Sequence, residues 1–248
     1  MTVAQHKWVR STRVQVRQHK PGRVPGKRAF DVVVSATALL ILFPLMLFIT
    51  LLVKTSSPGP AFYKAPRVGR HGRTFKMYKF RSMVVGADEG SCLVTSADPR
   101  VTGIGAWLRH TKLDELPQLL NVLRGDMSLV GPRPEVVEYV ELYGPQERQI
   151  LLVRPGITDW ASVWNSDEGG LLNGFDDPEW AYLQIIWPMK LQLQRAYVCK
   201  RCWRVDLKIL FFTFLRLAGS RAAPREVAEV LEGVSGGGRK LTPGRAQS

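Results

Sequence analysis

Asp114 and Glu115 stand side by side in Leu113-Asp114-Glu115-Leu116-Pro117-Gln118-Leu119. On a helix, adjacent residues point about 100° apart, so the two carboxylates do not face one another. They can divide the work: one attacks an electrophile, the other holds a cation or manages protons. An acidic pair is also ordinary in the first turn of a helix, where it answers the dipole and where Pro117 is tolerated. The neighbourhood favours chemistry. Ten residues on comes Gly125-Asp126-Met127-Ser128-Leu129-Val130-Gly131-Pro132-Arg133-Pro134. Two glycines bracket this loop, and Pro132 and Pro134 fix Arg133 between them. A guanidinium held in this way suits a phosphate or diphosphate, whose oxygens it binds in pairs. Its plain alternative is a salt bridge to a helix end. Arg109 lies just upstream of the acidic pair, and Lys79-Phe80-Arg81 adds two cations. Arg154, at the start of Arg154-Pro155-Gly156-Ile157-Thr158, joins the candidate phosphate contacts. Carboxylates, cations and a loop arginine make a phosphoryl-transfer set, one that calls for Mg²⁺. The chain has no P-loop and no Rossmann glycine fingerprint, which argues against a kinase or a dehydrogenase.

Residues far apart in sequence need a fold to gather them. The chain has 248 residues, 45% apolar and 23% charged, enough for one domain with a core. Cys92, Cys199 and Cys202 are too few for a disulfide framework. The lone Cys199-x-x-Cys202 pair lacks the other half of a closed zinc site, so free thiols in a reducing compartment are expected. The net charge of +14 is uneven. Residues 1–87 hold sixteen lysines and arginines and one acid, Asp31. Such a segment attracts nucleic acid, anionic lipid or phosphorylated substrates.

Between the basic clusters, residues 32–53 read VVVSATALLILFPLMLFITLLV without a charge. A helix of this length reaches roughly 33 Å, enough for a hydrocarbon core of about 30 Å. The segment before it is too long for a signal peptide, and no small-residue cleavage site follows. Pro44, near the centre, must kink or break the helix. Eight basic residues precede the segment and eight follow it up to Arg81. Spanning would place one group outside, whereas a re-entrant course keeps both on the cytoplasmic face. The residues alone leave both courses open.

The remaining pattern predicts a β-hairpin from Ala61-Phe62-Tyr63 and residues 74–83 around Gly69-Arg70-His71-Gly72. It predicts one helix over residues 100–124, a loop at Val130-Gly131-Pro132-Arg133-Pro134 and short helices over 136–143 and 145–153. A turn is expected at 154–158, and a long helix over 178–203 kinked at Pro188. Residues 204–218 form a strongly apolar helix with Arg204, Lys208 and Arg216, either buried or lying in the membrane interface.

At these residues the chain resembles the bacterial sugar transferases, the monotopic polyprenyl-phosphate glycosyl-1-phosphate transferases. The matching pieces are KRAFDVVVSATALLILFPLML at 27–47, SPGPAFYKAPRVGRHGRTFKMYKFRSM at 57–83, LRHTKLDELPQLLNVLRGDMSLVGPRPE at 108–135 and VRPGITDWASV at 153–163. The resemblance covers roughly residues 27–217. It implies a UDP-sugar and a polyprenyl phosphate, usually undecaprenyl phosphate, as substrates. Asp114 would attack the β-phosphate, UMP would leave, and the sugar phosphate on Asp114 would pass to the lipid. Glu115 and Mg²⁺ would support both steps, with Asp114 and Glu115 as the metal ligands, and Arg133 would hold the nucleotide phosphates. The hydrophobic segment would be a re-entrant helix-break-helix, with the catalytic domain on the cytoplasmic face of the bacterial inner membrane.

Three positions depart from the family pattern. Phe43 stands where a serine often precedes the break proline, so no hydroxyl is there to bond the freed backbone groups. Asp159 and Ser162 replace the second glycine and the glutamine of a common Gly-Ile-Thr-Gly-Trp-Ala-Gln stretch. The expected fold is an α-rich α+β type with a small β-hairpin and interfacial amphipathic helices. Its plan is a basic arm (1–26), a re-entrant helix (27–55), a catalytic domain (56–218) and a flexible tail (219–248), with residues 164–180 looping over the site. It reads as a compact member without the large N-terminal multi-helix region of bigger relatives. A homodimer is left open, and no nucleic-acid partner is expected. The rivals are a membrane-tethered nucleic-acid binder and an inactive scaffold. The near-neutral charge of residues 88–248 weighs against the first, and the intact acidic pair with Arg133 against the second.

Overall fold

The computed structural model describes residues 21–87, 98–165, 172, 175–220, 222, 224, 225 and 227–230. The first twenty residues of the basic arm, Cys92, about half of the 164–180 loop and much of the tail lie outside them. Helix α1 spans Lys27–Ser56 with Pro44 inside it, and the chain stays helical on both sides of the proline. Asp31, Ser35, Ile49 and Val53 are buried along it, and Ala38, Leu39, Leu42, Leu45 and Met46 continue that stripe half-buried. These spacings of three and four place one helix face against the rest of the protein along its length. The other face exposes Val33, Leu40, Ile41, Phe43, Leu47, Phe48 and Leu51. It is the one helix among the described residues long and apolar enough to cross a membrane.

Both ends of α1 are pinned. Lys27 Nζ pairs with Asp206 at 2.5 Å, and Arg28 donates to the Val122 and Leu123 carbonyls. Asp31 accepts from the Ser128 hydroxyl at 2.8 Å and the Leu129 amide at 3.2 Å. At the far end, Arg81 donates to the Val53 and Ser57 carbonyls, which have no helical partner there.

Strands β1 (Phe62–Val68) and β2 (Thr74–Phe80) pair antiparallel, from Phe62 opposite Phe80 to Val68 opposite Thr74. Arg70–Gly72 turns between them, with His71 and Gly72 at positive φ. The expected hairpin is present, with a longer first strand. After α2 (Gly103–His110) and α3 (Gln118–Arg124), β3 (Ser128–Val130) pairs in parallel with β4 (Gly156–Thr158). The intervening crossover carries α4 (Val137–Glu141) and a 3₁₀ turn (Glu147–Leu152). Helices α5 (Trp160–Trp164), α6 (Pro178–Ala181), α7 (Trp187–Lys200) and α8 (Trp203–Leu217) follow. The main core joins Leu119, Val122, Met127, Val130, Trp160, Leu193, Tyr197 and Ile209.

Three expectations are corrected. The predicted helix over 100–124 is two helices separated by a turn, because Lys112 adopts the left-handed region at φ 59°. The predicted turn at 154–158 contains β4, whose partner lies 28 residues upstream and is invisible to local pattern. The long helix over 178–203 is interrupted by a π turn at Tyr182–Ile186, and Pro188 lies in the first turn of α7, where proline is tolerated. Helix α8 matches the predicted apolar helix. It exposes Leu207, Phe211, Phe214 and Leu217 at spacings of three and four, so its free face is apolar. Cys199 and Cys202 are exposed free thiols.

Candidate active site

The acidic pair sits in the reversal between α2 and α3. Thr102 caps α2, its hydroxyl accepting from the Gly105 amide at 2.9 Å. Helix α2 ends at His110, and Lys112 turns the chain through left-handed backbone at a cost of about 1–2 kcal/mol. Leu113–Glu115 form one 3₁₀ turn, and Pro117 precedes α3. The pair is therefore held on a corner rather than along a helix.

Asp114 is 5% exposed and has no hydrogen bond or ion pair among the described residues. Burial pushes its carboxyl above the ordinary range. Lys79, Arg109 and Arg133 pull it back, while the Glu115 charge adds to the rise. Glu115 is the opposite case. Burial alone would raise its pKa, but Arg133, Lys79 and Lys112 together bring it down to about 2. Lys79 Nζ lies 3.0 Å from Glu115 Oε1, and the Arg133 guanidinium bonds the same oxygen. Glu115 is a fixed anion that organises two cations; Asp114 is a desolvated carboxylate among positive charges.

Lys79 is placed by Asn121. The Asn121 side chain accepts from the Tyr78 amide at 2.9 Å and donates to the Lys76 carbonyl at 2.8 Å, which locks α3 against β2. Arg133 is placed by the parallel strands. Gly131 and Gly156 lie so close that a Cβ on Gly156 would stand 2.1 Å from the Gly131 nitrogen, so the pairing requires glycine. Arg133 follows β3 and Asp159 follows β4, so parallel pairing brings the two together. The Arg133 amide donates to Asp159 Oδ2 at 2.9 Å, and its guanidinium donates to the Ile157 carbonyl at 2.9 Å.

Of the residues expected at the site, Asp114, Glu115, Lys79, Arg109 and Arg133 come together. Pro132 and Pro134 are buried beside Arg133, and the Pro132 carbonyl accepts from the Gly156 amide at 3.0 Å. Arg81 and Arg154 are not brought to the acidic pair. Arg81 is buried at the end of α1, and Arg154 Nε donates to the Gly125 carbonyl at 2.9 Å, with Arg28, Arg70 and Arg201 as charged neighbours. Asn121, Asp159 and Gln194 were not predicted as site residues. Asp159 carries a legible signal, because Asp-x-x-Ser is an N-cap pattern and the Asp159 carboxylate does accept from the Ser162 amide at 2.7 Å. Gln194 has no such signal.

No group of three or more His, Cys, Asp or Glu gathers among the described residues. A magnesium ion needs fewer, since it takes one or two carboxylates and completes its shell with water and substrate phosphate. The unpartnered, desolvated carboxylate of Asp114 beside Glu115 fits that requirement.

Known proteins resemble this chain over most of its length. The family model for bacterial sugar transferases matches residues 23–220. The chain is 38% identical over 207 residues, 81% of its length, to the UDP-glucose:undecaprenyl-phosphate glucose-1-phosphate transferase of Xanthomonas campestris pv. campestris. It is also 38% identical over 205 residues, 79% of its length, to the enzyme of that name in Escherichia coli K12. The matched regions are 40% and 41% of those two proteins, so the chain spans about two fifths of their length. Against the exopolysaccharide production protein ExoY of Rhizobium meliloti it is 37% identical over 213 residues, 79% of this chain and 87% of that protein. The family match covers most of the chain and contains every site residue named above, and the chain therefore belongs to the bacterial sugar transferase family.

Proposed function

We propose that the protein transfers a sugar-1-phosphate from a UDP-sugar to a polyprenyl phosphate, releasing UMP through a covalent intermediate on Asp114. The names of its relatives support the general reaction. The observation that carries the mechanism is the contrast within the acidic pair. Glu115 is committed to Lys79 and Arg133, whereas Asp114 is desolvated and unpartnered among the described residues, as a nucleophile must be. An Asp114 oxygen attacks the β-phosphorus of the UDP-sugar. The bond from that phosphorus to the bridging oxygen breaks, and UMP leaves with the electron pair. The sugar phosphate is then joined to Asp114 as an acyl phosphate. A phosphate oxygen of the polyprenyl phosphate attacks the same phosphorus, and the Asp114 carboxylate leaves. Lys79, Arg109 and Arg133 offset the charge of the phosphoryl oxygens in both steps. Mg²⁺ held by Asp114 and Glu115 would add Lewis-acid neutralisation of the diphosphate.

The lipid acceptor requires a membrane address. We place the protein on the cytoplasmic face of the inner membrane, with α1 re-entrant and the free apolar face of α8 in the interface. Packing of one α1 face along its length, and anchoring of both its ends to the same domain, supports entry and exit on one side. The test is UMP release from a panel of UDP-sugars with undecaprenyl phosphate. In parallel, intact-protein mass after exposure to the donor alone should rise by one sugar phosphate. Absence of UMP from every donor would overturn the reaction; UMP release with no adduct would overturn the intermediate.

A further inference from the structure

The wall behind Arg133 is built by α7. Lys190 and Gln194 are both buried and lie one turn apart, on one face of the helix. Gln194 Nε2 donates to the Arg133 carbonyl at 3.2 Å and to Asp159 Oδ2 at 3.0 Å. Lys190 Nζ pairs with Glu135 at 2.5 Å, and the Tyr182 hydroxyl donates to the same carboxylate at 3.3 Å. In a regular helix Tyr182 and Lys190 would be about 80° out of phase; one extra residue in the π turn brings them to within about 20°. Asp159 is wholly buried and accepts four hydrogen bonds. The Ser162 amide and hydroxyl reach Oδ1 at 2.7 and 2.8 Å, and the Arg133 amide and Gln194 reach Oδ2. The backbone of Arg133 is thus gripped at its N–H by Asp159 and at its carbonyl by Gln194.

We infer that Asp159 and Gln194 are positioning residues for Arg133, which aim its guanidinium at the diphosphate of the donor and across to Glu115. This rests on the reading of Arg133 as a phosphate contact. Every group facing Asp159 is a donor, so a carboxylate suits the position; an amide nitrogen in place of one oxygen would meet another donor. A residue that only stabilised the fold would not act through Arg133 in particular.

The test has two readouts. In Pro132-Arg133-Pro134 the only exchangeable backbone hydrogen is that of Arg133, because proline has none. Hydrogen exchange of a peptide covering this stretch should quicken at least tenfold in Asp159→Asn. The kcat/KM for the UDP-sugar should fall tenfold or more in Asp159→Asn, but less than twofold when Arg133→Ala is already present. Gln194→Met, which removes the donor at similar volume, should give the same pattern and serves if Asp159→Asn does not fold. Unchanged exchange at Arg133, or equal losses with and without the Arg133 side chain, would overturn the inference. A wild-type protein that released no UMP would count against the proposed reaction, and exchange at Arg133 would still decide this point.

Discussion

Asp159 Oδ2 lies 2.9 Å from the backbone nitrogen of Arg133, and this hydrogen bond joins the chain leaving β3 to the chain leaving β4. The two residues are 26 apart in sequence. Parallel strands end at the same edge, so whatever follows one strand lies beside whatever follows its neighbour. The cation of the site is thereby tied to a buried N-cap, and the N-cap to α7 through Gln194. Arg133 is thereby held by its backbone as well as its side chain.

Asp114→Asn should abolish both UMP release and the covalent adduct while leaving membrane association intact. The amide is nearly isosteric and cannot act as the nucleophile. Because Asp114 makes no hydrogen bond among the described residues, the substitution breaks none there. Purified variant with near wild-type turnover would remove Asp114 from its role.

Arg133→Ala should lower kcat/KM for the donor by about 1.5–3 kcal/mol, roughly ten- to a hundredfold, the scale of a lost hydrogen bond to a charged group. It also removes a cation that holds Glu115 ionised. Steady-state kinetics over donor concentration measures this directly, and an unchanged kcat/KM would contradict it.

Acid should inhibit before it unfolds. Asp114 must be ionised to attack, and burial raises its pKa, so activity is lost as pH falls through that raised value. Lys79→Met removes a charge that pulls the pKa down and should move the acid limb of kcat/KM to higher pH. Glu115 is shifted the other way, to about 2. Its contribution to stability is complete above its unfolded value of about 4.5 and is lost as pH falls from there towards about 2. Thermal melts of Glu115→Gln should accordingly show a shallower decline across that window than the wild type.

Phe211 and Phe214 are 58% and 69% exposed on α8, so replacing them with serine removes little packing within the protein. Each phenylalanine is worth about 1.5–3 kcal/mol when removed from water. The double variant should move from the membrane to the soluble or aggregated fraction in flotation, with its melting temperature unchanged. Loss of thermal stability without altered lipid partition would mean that the face packs inside the protein.

Single cysteines at Arg23 and Pro58, which flank α1, should both resist an impermeant thiol reagent in intact cells and label after permeabilisation. The background would have Cys92, Cys199 and Cys202 replaced. Labelling of one position alone in intact cells would mean that α1 spans.

The chemistry was legible where it depends on residue type and close spacing. Asp114, Glu115 and the proline-flanked Arg133 stand out in the sequence, and the uncharged run of 32–53 announces a membrane element before any fold is known. The β1–β2 hairpin and the apolar helix α8 follow from local pattern in the same way. What sequence did not decide is what distance in the chain hides. It names Arg81 and Arg154 as candidate phosphate contacts, but a cation in a motif looks the same whatever it bonds in the folded chain. Folding sends Arg81 to the carbonyls at the end of α1 and Arg154 to Gly125. The break at Lys112 was missed because both flanking stretches are rich in apolar residues and a lysine in left-handed backbone carries no turn signature such as glycine or asparagine gives. Strand β4 was missed because three residues with a remote partner leave no period to read. Gln194 and Asn121 entered the site only in three dimensions, where burial leaves their amides no water and obliges each to bond the backbone beside it. Residue types and near spacing determine which groups can react. Their relative charge, burial and aim depend on long-range pairing, and only the tertiary structure decides those.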